Sequence, residues 1–391
     1  MRTKTSMVNK QVENVLFRFF TRYPFLFPEN LSKEDFYSTL DQHIDINIED
    51  QLYLFHYNNT GHYDATVRST PFFRHCRGMV ISAEGEIVNL PFLRFLEFDY
   101  ADESTKINWE NAIAEEKHDG SLINVFYTNK KWYIATRRRI DAVKELKDKF
   151  LELFGNHFDF LSKQYCYSFE LVSSINRITQ LYEQDHLYLL LIRNLDTLQE
   201  QNREFKEKLA AKIPTLELPR QYNVTNLGET KHLFTSLDKQ PHEEGFVVVD
   251  DKYQRLKVKS EDYYFYNKIV VFKRSLEMIE SIVKDDLVPL SYLEAFPEAY
   301  SKYMHLKNNY FTFLDQLVQK YTSFYWEQQK VGENLNKQRK RLEQQIKDKI
   351  ELNLLLELLF EDIKPAKALK FLKEYIRRTI NYQTILQLIG S

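Results

Sequence analysis

Glycine is scarce, with nine among 391 residues. No two lie closer together than Gly78 and Gly85. That spacing excludes two common phosphate loops, since GxGxxG needs glycines two and three apart and GxxxxGK needs them five apart. Any nucleotide site here works without a glycine-rich loop. Cysteine is nearly absent. Cys76 and Cys166 cannot supply a disulfide framework, so a reducing cytoplasm is the expected setting. No apolar run approaches the length of a membrane span. The N-terminal stretch scatters charges through its apolar residues, which does not suit a secretory signal. Net charge is −2, so any contact with nucleic acid must come from local basic patches. The 29 Phe and 25 Tyr supply material for well-packed cores, and the length suggests two domains.

Glycine and proline placement divides the chain near residue 260. Before it, short apolar runs are broken by turn signals, which reads as α+β. A helix is predicted over 8–20, ended by Pro24 and Pro28. Strand pairs are predicted at 78–82 with 86–90, 122–127 with 132–136, and 246–249 with 255–259. Further strands are predicted at 165–172 and 187–193, and a helix near 200–212. Beyond Gly245 the only glycines are Gly332 and Gly390, and the sequence reads as helices. There Leu369, Leu372, Ile376 and Ile380 make one apolar stripe. Lys367, Lys370, Lys373 and Arg377 make a basic stripe beside it. Six basic residues also fall within 336–349. Both basic stripes read either as phosphate-binding faces or as solvated helix faces.

Five segments could carry chemistry. Glu116-Lys117-His118-Asp119-Gly120-Ser121 stands on a loop just before a strand. A lysine there can act as a nucleophile if burial or nearby cations lower its pKa. The segment also reads as a surface turn, since Asp-Gly is common in hairpins. In Arg255-Leu256-Lys257-Val258-Lys259, alternation puts Leu256 and Val258 on one face and the lysines on the other. Those lysines are either solvated or aimed at phosphate oxygens, where they would also provide the cations that Lys117 needs. His242-Glu243-Glu244-Gly245-Phe246 opens the partner strand of that hairpin. A carboxylate there could hold Mg²⁺ or lie in a surface acidic turn. Glu170 falls inside the apolar, aromatic strand Phe169-Glu170-Leu171-Val172 and must be paired or hydrogen-bonded if buried. In Cys76-Arg77-Gly78-Met79, Arg77 could fork onto a phosphate or be an ordinary surface arginine.

Taken in order, KHDGS, FELVSSINRI, EGFVVV and KVKS resemble the signature of covalent nucleotidyltransferases, the ATP-dependent ligases and mRNA-capping enzymes. The bacteriophage RNA ligase 1 family is the most similar branch. It adds an upstream CRG, matched by Cys76-Arg77-Gly78, and a Phe-x-Tyr-Asn, matched by Phe55-His56-Tyr57-Asn58. The resemblance implies an antiparallel-sheet, ATP-grasp-like nucleotidyltransferase domain over residues 1–263. An all-α C-terminal domain over 264–391, carrying RNA or tRNA specificity, would follow. DNA ligases and capping enzymes follow the KVK strand with a β-barrel, which the glycine-poor remainder does not suit.

The same resemblance implies roles residue by residue. Lys117 would become adenylylated. Tyr57 and Arg77 would contact ATP, with Glu116 in the cofactor site beside them. Arg94 and Arg137 stand where the family has ATP-contacting lysines, which changes reach and fork geometry. Glu170 and Glu244 match essential acidic positions, and Lys257 and Lys259 match phosphate-contacting lysines. Tyr263 matches an aromatic needed for ligation. Asp285 matches a Mg²⁺ ligand, a role also open to Glu244. His118 has no counterpart and reads as an exposed loop histidine. The implied reaction joins an RNA 5′-phosphate to a 3′-hydroxyl through lysine–AMP and AMP-capped RNA, with ATP and Mg²⁺ or Mn²⁺. Broken tRNA would be the substrate, single-stranded DNA a poorer one, and the enzyme a monomer in the cytoplasm of an infected host. A catalytically idle RNA-binding protein of this fold is the rival reading.

Overall fold

The computed structural model describes residues 9–28, 31–61, 63–95, 97, 106–180, 182–239, 243–285, 288 and 290–389. His242, Asp286 and Gly390 lie outside them. The chain forms two compact units, Met1–Tyr263 and Tyr264–Ser391. No helix among the described residues is long and apolar enough to cross a membrane.

The described residues of the first unit form thirteen strands: β1 (Ile44–Glu49), β2 (Leu52–Tyr57), β3 (Arg77–Ser82), β4 (Ile87–Asn89), β5 (Ile113–Lys117), β6 (Ser121–Thr128), β7 (Lys131–Thr136), β8 (Tyr165–Val172), β9 (His186–Asn194), β10 (Leu216–Glu217), β11 (Gln221–Asn223), β12 (Gly245–Val249) and β13 (Arg255–Lys259). They form three sheets, ordered β1-β2-β3-β4, β10-β9-β8-β6-β7 and β11-β5-β12-β13. Every pairing is antiparallel except β9 with β10. This is the α+β architecture expected from the turn pattern, with the antiparallel sheets that the family resemblance implies.

The sheets stack through alternating side chains. On β6, Ile123 and Val125 join the core beneath the helices Lys144–Phe154 and Arg203–Ala210. Phe126, on the opposite face, packs with Leu52, Leu54 and Val80 of the first sheet. The other face of the first sheet is covered by the helices Lys10–Arg22, Lys33–His43 and Pro71–His75, whose Phe19, Phe36, Phe72 and Phe73 are fully buried. The first helix starts at Lys10 rather than residue 8 because the Asn9 side chain caps it, accepting from Gln11 N and Val12 N at 3.0 Å.

The sequence reading missed β1 and β2. Their turn, Asp50-Gln51, takes positive φ without a glycine, so no turn residue announces it. It also placed Lys117 on a loop, whereas Lys117 closes β5.

Every regular element among the described residues of the second unit is a helix. Its longest helix, Pro297–Val331, buries Tyr303, Leu306, Tyr310, Leu314, Leu317, Tyr321 and Phe324 at three- and four-residue spacing. The helix Pro365–Thr379 turns Ala368, Leu372 and Ile376 inward, while Leu369 is exposed and Ile380 caps the end. The apolar stripe is therefore rotated from the expected one, because small Ala368 permits the close approach. Lys367, Lys370 and Arg377 are exposed, and Lys373 lies 4.8 Å from the Phe311 ring. On the helix Leu335–Gln345, Arg339 pairs with Glu343 and Arg341 with Glu327, so part of that basic run is neutralised.

Candidate active site

The third sheet assembles the site by register. Gly245 of β12 pairs with Lys117 of β5 on one side and with Lys259 of β13 on the other. The period of two then puts Lys117, Lys257 and Lys259 on one face. Ala114, Phe246, Val248, Leu256 and Val258 go to the other, where they form a core. Gly245 is required here. Its φ is +128°, and a Cβ would meet Val258 O and the Phe234 ring.

Glu244, just before Gly245, stands between the two lysines. One carboxylate oxygen accepts from Lys117 Nζ at 2.5 Å, and the other pairs with Lys259 Nζ at 2.9 Å. Burial would raise this carboxyl, but Lys117 and Lys259 outweigh it and bring it down to about 2. Lys259 responds in the opposite sense. Burial would lower it, but Glu244 and Glu97 raise it. Lys257 is pushed well down by burial and by Arg77, Lys117 and Lys259. Its Nζ lies 4.9 Å from the Phe95 ring centre, and the Arg77 guanidinium lies 5.7 Å from the same ring. Arg77 Nε is buried without a hydrogen-bond partner among the described residues. A buried orphan donor beside two lysines suits an anionic ligand.

Tyr57 closes one end of this cationic patch. The Arg94 and Arg137 guanidinia lie 4.7 and 5.5 Å from its ring. Burial would raise the Tyr57 phenol, but Arg77, Arg137 and Arg94 lower it below its ordinary value. Arg94 is buried and donates to Gly61 O at 3.2 Å, so part of its fork is spent on the backbone.

Glu170 accepts from Gly120 N at 3.1 Å. Burial raises its pKa to about 7 against the pull of Lys117, with Glu244 and Asp119 adding to the rise. Because the folded-state value lies above the ordinary one, ionising Glu170 costs stability. The cost begins near the unfolded value of 4.5, grows as pH rises, and is complete above about 7. Glu170→Gln keeps a hydrogen-bond acceptor and removes the penalty. Its stability relative to the parent should rise across pH 4.5–7 by up to about 3 kcal/mol. Thermal unfolding of both proteins at stepped pH checks this, and parallel curves would contradict it.

Two expectations change. Glu116 faces away from Lys117, on the opposite side of β5, where it accepts from Tyr222 OH at 3.1 Å and Lys239 Nζ at 2.9 Å. His118 is not exposed. Its ring stacks on Tyr188 at 3.7 Å, and burial lowers its pKa to about 4. Tyr263 is buried and donates to Asp119 Oδ1 at 3.1 Å.

Asp119 is the residue that sequence reasoning passed over. Its Oδ2 accepts from Thr179 N at 2.7 Å and Thr179 Oγ1 at 2.6 Å, and its backbone N–H donates to Tyr182 OH at 2.9 Å. The signal was its place two residues after Lys117. Glu97, 3.5 Å from Lys259 and bridged to β13 at Lys257, and Lys239 gave none.

Asp285 caps the helix Ser275–Lys284 in left-handed conformation, within the second unit. Among the described residues no group of three or more His, Cys, Asp or Glu could hold a metal ion. Both oxygens of Glu244 already face lysines. The described residues therefore do not form a protein-built metal cage.

A family model described as RNA ligase matches residues 75–271. That is half of the chain, and the chain belongs to this RNA ligase family. It is also 31% identical over 229 residues to a protein named "Putative bifunctional polynucleotide kinase/RNA ligase" in Autographa californica nuclear polyhedrosis virus. The match covers 51% of this chain and 32% of the viral one, so the chain spans about a third of that relative's length. Among solved structures it is similar to an archaeal ATP-dependent RNA ligase, form 2, with TM-score 0.47 and 14% identity over 74% of this chain and 80% of that one. A structure titled "Putative ATP-dependent DNA ligase from Aquifex aeolicus" gives TM-score 0.42 and 14% identity over 92% of this chain and 88% of that one.

Proposed function

We propose that the protein is an ATP-dependent RNA ligase that works through a lysine–AMP intermediate. The observation that carries the reading is the convergence of Lys117 and Lys259 on the carboxylate of Glu244, with Lys257 on the same face of the sheet. In the first step Lys117 Nζ attacks the α-phosphorus of ATP. A P–N bond forms, the P–O bond to pyrophosphate breaks, and the lysine gives up its proton. Glu170, titrating near 7, is the carboxylate suited to receive it. Lys257, Lys259 and Arg77 offset the phosphate charge, and Tyr57 with Arg94 and Arg137 borders the patch. AMP then passes to an RNA 5′-phosphate, and a 3′-hydroxyl displaces it. Mg²⁺ or Mn²⁺ would be held mainly by the ATP phosphates, with at most one or two carboxylates added, and would supply charge neutralisation.

The test is incubation with α-labelled ATP and a divalent cation, then denaturing electrophoresis. The protein should carry covalent label that pyrophosphate or 5′-phosphorylated RNA removes. Protein that stays unlabelled would be the idle RNA-binding factor instead, and preferred sealing of nicked duplex DNA would make it a DNA ligase.

The described helices of residues 264–391 support a substrate-choosing role, with broken tRNA as the target and single-stranded DNA as a poorer one. This repair would take place in the cytoplasm of an infected host, with the ligase acting as a monomer. Reversing charge at Lys367, Lys370 and Arg377 should weaken joining of cleaved tRNA about tenfold or more and flatten its salt dependence. Lysine adenylylation should be unchanged. Loss of both activities would point to misfolding of the helix rather than lost contact.

A further inference from the structure

A cavity of about 400 Å³ lies in the first unit, lined by His75, Arg193, Glu200, Lys252, Tyr253 and Arg255 among others. It lies by Arg255, the first residue of β13, whereas the adenylylation patch lies at Lys259, the last. Four residue steps along the strand, roughly 13 Å, separate the two. None of the residues named above serves the proposed chemistry.

The cavity has built walls. Glu200 is buried, meets Arg255 Nη2 through one oxygen, and lies 3.7 Å from Arg193 Nη2 through the other. The Arg255 guanidinium lies 4.7 Å from the Phe92 ring and 5.8 Å from the Tyr253 ring. Arg193 is anchored to the carbonyls of Leu90 and Leu198 at 2.9 and 2.8 Å. Two arginines against one carboxylate leave one positive charge, and exposed Lys252 adds another. His75 Nδ1 is buried with no hydrogen-bond partner among the described residues. Tyr253 holds φ +59°, a left-handed conformation rare for an aromatic residue, fixed by its N–H on Asp250 O at 3.0 Å. That conformation displays the ring at the hairpin tip, 37% exposed.

An open aromatic face, surplus positive charge and an unsatisfied imidazole nitrogen together match one ribonucleotide. The base would stack on the ring, the phosphate would meet the cations, and the 2′-hydroxyl could donate or accept at the imidazole. We propose that this cavity is a second RNA subsite, holding a nucleotide of single-stranded RNA a few positions back from the end that reacts at Lys117. At about 3.4 Å per stacked nucleotide, roughly 13 Å corresponds to about four nucleotides. This assignment rests on the RNA ligase reading above.

The test uses the full-length protein and a fluorescein-labelled, 5′-phosphorylated RNA of about twelve nucleotides. Tyr253→Asn keeps a residue that tolerates the left-handed backbone but removes the ring. It should weaken binding and raise KM for this RNA about tenfold, with kcat and lysine adenylylation unchanged. Tyr253→Phe should restore the parent's values. Lys252→Gln should lower the salt dependence of binding by about one counterion. A dinucleotide substrate, too short to span the distance, should show the same KM with every variant. Parent-like binding of the longer RNA by both Tyr253→Asn and Lys252→Gln would overturn the subsite while leaving the ligase reading intact. A parent protein that takes no label from ATP would overturn the ligase reading itself.

Discussion

Replacing Lys117 by arginine should abolish covalent labelling by ATP, by more than about a thousandfold, while leaving the fold in place. Arginine keeps the positive charge that Glu244 faces and can fork onto that carboxylate, but it does not deprotonate in the range where proteins work. It therefore preserves the electrostatics and removes the nucleophile. Lys117→Ala should also lose labelling, but by a different balance. Glu244 would keep only Lys259 as a close partner, at 2.9 Å, so alanine should lower stability by about 1–3 kcal/mol where arginine does not. The two variants together separate chemical from structural loss. A further consequence follows from the order of bonds. Once AMP is on the RNA, sealing needs no lysine nucleophile. Both variants should therefore still join RNA supplied already capped with AMP, the arginine variant more readily. Labelling of Lys117→Ala at the parent's rate would place the nucleophile elsewhere.

The depth to which the sequence could be read follows from range. The hairpin 246–259 was legible because its turn, alternation and both strands lie within fifteen residues of one another, and Gly245↔Lys259 pairing follows from it. The other half of the site was not. Lys117 meets Gly245 across 128 residues of sequence, and no local pattern states that β5 pairs with β12 rather than with β6. Ordered motifs brought Lys117 and Glu244 under suspicion together, but only the register explains why one carboxylate serves two lysines. Side-chain direction was the weakest inference. Glu116 and Lys117 are neighbours in sequence and on opposite faces in space, because a strand alternates. Tyr263 and Asp119 were both visible as motif letters, yet their 3.1 Å hydrogen bond, which ties the end of the unit to the lysine loop, depends on packing that no motif records. The helical unit was legible as helix and misread by one position in its stripe, since Ala368 counts for little in a hydrophobicity pattern but decides where two helices can approach.

Glu244→Gln should show the second-largest effect, on stability and on rate together. The folded-state value of about 2 lies below the ordinary carboxylate range, so the ionised form stabilises the fold. For a depressed carboxyl that stabilisation is fully present above about pH 4.5 and is lost as pH falls toward 2. A shift of this size corresponds to about 3 kcal/mol, at the lower edge of the cost of leaving a buried charge pair broken. The glutamine variant should therefore unfold at lower temperature than the parent by a constant margin from pH 5 upward. On rate, the loss acts through position. Without the carboxylate the Lys117 amine loses its 2.5 Å contact, and misplacement of a nucleophile costs about a hundredfold. Glutamine can hold an amine only through a weaker neutral hydrogen bond. The expected result is an adenylylation rate about a hundredfold lower at pH 7. A variant as stable and as fast as the parent would mean that Glu244 is a bystander and that other groups hold Lys117 in place.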